Sequence, residues 1–299
     1  MKLKDIVAHA INKKKFTDLK GYVEFCRIYL DYVGEHLQAV IVSQNENHYH
    51  FYQYDRTGNF QITRPINSNL MYDAKGFAKS GKEFLKILKN AKDIRAKDAK
   101  ARKVLNNATY TIQQSIGAAL DGLNAGKSNT ARKLNGDLFE SFVRLILRAT
   151  GVDAVSGVVQ VPVIVKGQEQ FKMNYQHDLI IKRDGEIKVI GSIKTSSKDR
   201  IDKIFIDKFL YNRLTETTVP HIAVFLNDVQ RKNTKKINEY GINSTFLPGH
   251  FKGFTVKLNP LDGVYYCDIR PNMRTEPILR DHIKTIDHFF CTDLWNLVS

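Results

Sequence analysis

The chain has 299 residues, with 46 lysines and arginines against 31 acids, a formal charge of +15 and 42% hydrophobic residues. That suffices for one large domain or two modest ones and argues against disorder, while the charge favours a polyanionic partner, nucleic acid first and an acidic membrane surface second. No apolar run approaches the roughly 18–20 residues of a bilayer span, and no signal-peptide block precedes Asn12-Lys13-Lys14-Lys15, so a cytoplasmic location is expected.

Residues 1–75 combine a helical start with a hairpin-like block. Strands are expected over Gln38–Ser43 and Tyr49–Tyr54, then a turn at Thr57-Gly58 and a strand over Phe60–Thr63. Residues 76–123 are expected to be helical, because Phe84, Leu88, Ala91 and Ile94 recur at steps of four, three and three. Between Lys75 and Lys103 stand eleven basic residues and three acids, which suits either a solvated face or a DNA-facing helix. The small polar stretch Asn124–Thr130 is the best boundary, dividing an N-terminal α+β and basic helical region (1–125) from a second domain (126–299). Gly126-Lys127-Ser128 has the ending of a phosphate-binding loop. Asp121 stands where that loop needs its first glycine, however, and no apolar strand precedes it, so nucleotide binding is set aside.

Beyond the boundary, helix and strand alternate: a helix over Leu134–Thr150 stopped at Gly151, a strand over Val158–Val165, a hairpin of Asp178–Arg183 and Glu186–Lys194 around Asp184-Gly185, a helix over Asp202–Thr215, and a buried strand over Pro220–Leu226. The expected class is α/β with a mixed sheet flanked by helices. Cys26, Cys267 and Cys291 are an odd set without paired spacing, which excludes a disulfide framework. Cys267 and Cys291 stand near His282 and His288, yet buried thiols are the better reading than metal ligands.

The hairpin carries the chemistry. Asp178 opens one strand, and on the other Ser192 and Lys194 share a face. A plain two-residue turn would set Asp178 opposite Gly191, one position out of phase. A bulge or a three-residue loop would bring it opposite Ser192. The competing Glu186-Ile187-Lys188 lies about 20 Å away at roughly 3.3 Å per residue, too far to share an ion with Asp178, so geometry selects Lys194.

This arrangement resembles the PD-(D/E)XK nuclease superfamily, best known from type II restriction endonucleases, over about residues 134–226. There an acid at one strand start and an acid-x-Lys on the next hold Mg²⁺ beside the scissile phosphate. Two departures stand out: His177 occupies the usual proline position and Ser192 that of the second acid. A serine there resembles the EcoRII-like branch, which reads CCGG- or CCNGG-type sites and carries the missing acid on the next helix. Asp207, thirteen residues after Lys194, holds that place, with Asp199 and Asp202 as other candidates. The resemblance further implies that Glu140 on the helix before the hairpin assists the metal site, and that Lys198, Asp199 and Arg200 read base edges.

The expected protein is therefore a Mg²⁺-dependent type II restriction endonuclease cutting double-stranded DNA at a short palindrome containing CC and GG. Asp178, Asp207 and Glu140 would be metal ligands, and Lys194 would stabilise the phosphate's charge. A homodimer follows from the palindrome, and a cognate DNA methyltransferase is the expected genetic companion. The Tyr49–Tyr54 block is a candidate wall for a flipped base, with core packing the stronger alternative. Two rival functions remain: a structure-selective or repair nuclease of the same fold, and a DNA-binding protein without catalysis.

Overall fold

The computed structural model describes every residue except 55–61, 199 and 233–238. Helices α1 (Leu3–Ile11) and α2 (Leu19–His36) open the chain; Asp18 caps α2 by accepting a hydrogen bond from the Gly21 amide at 2.9 Å. A small antiparallel sheet follows: β1 (Ala39–Val42), β2 (Tyr49–Gln53) and β3 (Ile66–Asn67). The turn expected at Thr57-Gly58, and Phe60-Gln61 of the next expected strand, lie outside the described residues; Ile62 makes a single bridge to Gln53.

The helix expected over 76–123 is two helices, α3 (Ala74–Leu88) and α4 (Ala99–Leu120). The chain breaks between them where the Asp98 carboxylate accepts the Arg95 amide at 2.7 Å and closes a turn. From Val104 to Leu120 every residue of α4 is buried, so no amphipathic stripe marks it. Its polar side chains find partners for their donors, although the buried side-chain oxygens of Asn106, Gln113 and Gln114 have no hydrogen bond among the described residues. Asn106 donates to the Cys267 carbonyl at 3.0 Å, and Gln113 to Asn135 Oδ1 at 2.9 Å.

Helix α5 (Ser128–Ala149) begins inside the stretch proposed as a domain boundary, and Gly151, at φ +90°, ends it. The packing does not divide there. One hydrophobic cluster runs from Ile6 on α1 through Ile116 on α4 and Phe142 on α5 to Ile193, Val224 and Leu294. Residues from both the 1–125 and the 126–299 stretches contribute to this cluster, and a helix buried all round, like α4, takes neighbours from both.

The remainder comprises β4 (Asp153–Val165), β5 (Gln168–Arg183), β6 (Glu186–Ser196), α6 (Ile201–Thr215), β7 (His221–Asn227), the ribbon β8 (Val229–Arg231) with β9 (Ile242–Ser244), α7 (Pro248–Lys257), β10 (Gly263–Tyr266) and β11 (Ile283–Thr285), with short helical turns near the C-terminus. The main sheet has the order β11-β10-β7-β6-β5-β4; β4, β5 and β6 pair antiparallel and β6, β7, β10 and β11 parallel. Ile181, Ile193 and Val224 pack into the cluster that holds α4 and α5, whereas Ala223, Phe225 and Val264 pack with Phe205 of α6 and Phe251 of α7. With helices on both faces, β7 is buried at all seven positions.

A polar joint ties the small sheet to the ends of β7 and β10. Tyr49 and Asn67 each donate to Asp268 at 2.8 Å, Ser244 donates to Asp228 at 2.7 Å, and Arg270 pairs with Glu46 and lies 3.8 Å from Asp228. Burial pushes the Asp228 carboxyl up to about 6 and raises that of Asp268 as well. The Tyr49–Tyr54 block is core here: Tyr49, Phe51 and Tyr54 are buried, and the Tyr54 hydroxyl donates to the Ala118 carbonyl at 2.8 Å. All three cysteines are buried free thiols. Among the described residues, no helix is long and apolar enough to cross a membrane.

Candidate active site

The β5–β6 hairpin sets the geometry. Asp184 and Gly185, at φ 53° and 82°, form a two-residue turn whose positive φ values suit the strand twist. Arg183 faces Glu186 and Lys182 faces Ile187, but Ile181 faces Val189, so Lys188 is an extra residue in the ladder. This bulge supplies the one-residue shift that the site requires. Leu179 faces Gly191, and continuing the register brings Asp178 level with Ser192. Glu186 and Lys188 pair with each other at 2.9 Å beside the turn, away from Asp178.

Three of the expected site residues meet. Lys194 Nζ lies 2.6 Å from Asp178 Oδ2 and 3.0 Å from Glu140 Oε1, and the Ile193 amide donates to Asp178 Oδ2 at 3.0 Å. Helix α5 delivers Glu140; its neighbour one turn later, Arg144, donates to the Asp178 carbonyl at 2.7 Å. Asp178 Oδ1 and Glu140 Oε2 have no hydrogen-bond partner among the described residues. Burial and the nearby Asp178 raise the Glu140 carboxyl, against the pull of Lys194. Burial would lower the Lys194 ammonium, but Asp178 and Glu140 outweigh it and hold the group above its ordinary value.

Two carboxylates thus share one ammonium, and each keeps an oxygen without a hydrogen bond among the described residues. Among the described residues no three His, Cys, Asp or Glu side chains form a metal-ligand set. Mg²⁺ retains several waters and takes one or two carboxylates, so this donor set suits it.

Asp207 is placed apart from these three. It lies on α6, pairs with Lys203 one turn earlier at 2.5 Å, and contributes its charge to the surroundings of His177 and Tyr175. Asp202 pairs with His250 at 2.9 Å. His177 is buried against Tyr211 of α6, ring centroids 5.6 Å apart, and burial lowers its pKa.

Glu140 and Lys194 open on a cleft of about 1440 Å³ that also presents Arg64, Arg132, Lys133, Lys198, Arg200 and Arg231. Asp121 engages Arg64 at 2.7 Å. Lys198 and Arg200 lie in the connection after β6, and Asp199 falls outside the described residues. Arg132, Lys133 and Arg231 escaped the sequence reading because they belong to no motif and are about a hundred positions apart. None of the basic residues between Lys75 and Lys103 lines the cleft. Helix α4 brings Leu120 to the cleft and carries Lys100, Arg102 and Lys103 to its far end, about 25–30 Å away. Arg102 is engaged there by Asp287 at 2.7 Å.

No protein-family model matches the chain, and no curated protein matches it either. Among solved structures it is similar to the crystal structure of the type IIP restriction endonuclease Kpn2I, with a TM-score of 0.72 and 18% identity over 98% of this chain and 96% of that one. The likeness shows the fold: the α/β fold of a restriction endonuclease, with N-terminal elements included in the match.

Proposed function

We propose that this protein is a type II restriction endonuclease that cuts both strands of DNA at a short palindrome containing CC and GG, with Mg²⁺ as cofactor. The observation that carries the reading is the Lys194 ammonium held between the Asp178 and Glu140 carboxylates beside a basic cleft. The fold shared with Kpn2I supports it.

Asp178 and Glu140 would hold Mg²⁺ through the oxygens that lack hydrogen bonds. When bound, the ion would supply Lewis-acid polarisation of the phosphate and acidify a water. Lys194 would stabilise the added negative charge at phosphorus as water adds, and it stands where it can pass a proton. One phosphorus–oxygen ester bond breaks, and the leaving oxygen takes up a proton. The Ile193 amide fixes the Asp178 carboxylate at 3.0 Å throughout, and no covalent enzyme intermediate is required.

Asp207 is the proposed further acid from α6, released by Lys203 when DNA and metal bind. Lys198, Asp199 and Arg200 are the proposed base readers. Lysine and arginine can donate to guanine O6 and N7, and aspartate can accept from the cytosine amino group. Cutting both strands of a palindrome calls for two copies of the site related by a two-fold axis, hence a homodimer.

The test is incubation of plasmid DNA with the purified protein and Mg²⁺, with and without EDTA. Discrete fragments that EDTA suppresses are expected. Cleavage confined to branched DNA would make the protein a repair nuclease, and intact DNA with a gel shift would make it a binding protein.

A further inference from the structure

We propose that Arg144 is a positioning residue for Asp178, holding the strand at the point where it changes face; this rests on the nuclease reading above. In the β4–β5 ladder Gly157 faces His177 and Val155 faces Ile180, so Asp178 and Leu179 lie together opposite Ser156. The ladder with β6 begins only at Leu179. Asp178 therefore shares Ser156 with Leu179 on one side and lies one step beyond the last ladder pair on the other, which is a β-bulge at the acid itself.

The bulge changes which way the chain points. In a regular strand residues 177 and 179 share a face. Here His177 packs against Tyr211 of α6, while Leu179 enters the opposite core with α5. At this switch the Arg144 guanidinium supplies a side-chain donor to the Asp178 carbonyl at 2.7 Å. Arg144 lies one helical turn after Glu140, so one face of α5 places an acid on Lys194 and a cation behind Asp178. The loop Glu140–Lys194–Asp178–Arg144 closes on itself through α5. Metal-binding carboxylates need such outer support to keep their aim.

One turn further on, Arg148 donates to the Ala154 carbonyl of β4 at 2.8 Å. It makes the same kind of helix-to-strand bond away from the acids, which makes it the natural control.

The experiment compares wild type, Arg144→Met, Arg144→Lys and Arg148→Met on a duplex carrying the site mapped from wild-type fragments. It reads single-turnover cleavage against Mg²⁺, the Ca²⁺ concentration for half-maximal DNA binding, and Tm. Arg144→Met should cut about 10–100-fold more slowly and need more of either ion. Arg144→Lys should recover part of both, and Arg148→Met should change Tm alone. Unchanged rate and ion dependence in Arg144→Met, with wild type active, would overturn the positioning role only. So would a loss that follows Tm alike in Arg144→Met and Arg148→Met. A wild type that leaves DNA intact in Mg²⁺ would remove the nuclease reading and this inference together.

Discussion

Two acidic clusters of this molecule differ in what their oxygens do. Asp268 has both oxygens occupied, by Tyr49 and Asn67; Asp228 accepts from Ser244 through Oδ2, while its buried Oδ1 has no hydrogen bond among the described residues and faces Arg270 at 3.8 Å. Asp178 and Glu140 share Lys194, and each leaves one oxygen without a hydrogen bond among the described residues. The first cluster is sealed between the small sheet and the main sheet, whereas Glu140 and Lys194 of the second line the cleft, with Asp178 behind them. A saturated buried carboxylate joins elements; an unsaturated one beside a basic cleft is available to a ligand.

The sharpest way to break this contrast is to remove one acid from each cluster. Asp178→Ala or Lys194→Ala should slow DNA cleavage by about a thousandfold or more while gel-shift binding in Ca²⁺ persists. Glu186→Ala and Lys188→Ala should cut like wild type, and full activity in Asp178→Ala would remove the site assignment. Asp207→Asn should follow Asp178→Ala if α6 supplies a ligand, with Asp202→Asn mild; the reverse ranking in a cleavage assay would transfer the role to Asp202.

On the sealed side the loss should appear as stability. Asp268→Ala leaves the Tyr49 and Asn67 donors unpaired and should cost about 2–4 kcal/mol in urea unfolding. An Asp268→Ala protein as stable as wild type would show that the joint carries little.

Along the cleft, Arg200→Ala should remove about 1–3 kcal/mol of discrimination at a guanine, read by competition between cognate and scrambled duplexes. Arg132 and Lys133 line the cleft, and replacing either should lower affinity for both duplexes and reduce the salt slope by about one unit. Replacing Lys100 or Lys103, which stand at the far end of α4, should change neither. Equal losses on both duplexes for Arg200→Ala would make it a backbone contact.

The smallest effect concerns pH. Burial holds the Asp228 carboxyl raised to about 6, above its unfolded value, so the folded chain binds this proton more tightly than the unfolded chain. Its contribution to stability is complete below the unfolded pKa and is lost as pH rises through about 6. The Tm difference between wild type and Asp228→Asn should therefore move against wild type by about 2–4 °C between pH 4.5 and pH 7.5. A pH-independent difference would mean that Asp228 is charged throughout.

Local pieces of the fold were legible from residue order alone. The strand near Gln38–Ser43, the hairpin around Asp184-Gly185, the helix over Asp202–Thr215 and the stop at Gly151 were legible because each depends on residue period or on positive φ within a few positions. The pairing of Asp178 with Lys194 was legible for the same reason, since a hairpin fixes register locally once a bulge is allowed. The rest depends on contacts between distant parts of the chain. Helix α4 carries no stripe because it is buried on every side, so its polar residues and the break before it gave no period to read. The 124–130 stretch has the composition of a linker, and composition gave no sign that residues on both sides of it pack into one hydrophobic cluster. Charge counts along the chain left Lys75–Lys103 as either a solvated face or a DNA-facing helix; none of its basic residues lines the cleft, those on α4 stand at that helix's far end, and Arg132, Lys133 and Arg231 line it instead. Which carbonyl a bulge leaves for Arg144 depends on two ladders and a helix meeting at Asp178, a long-range coincidence that no local pattern encodes.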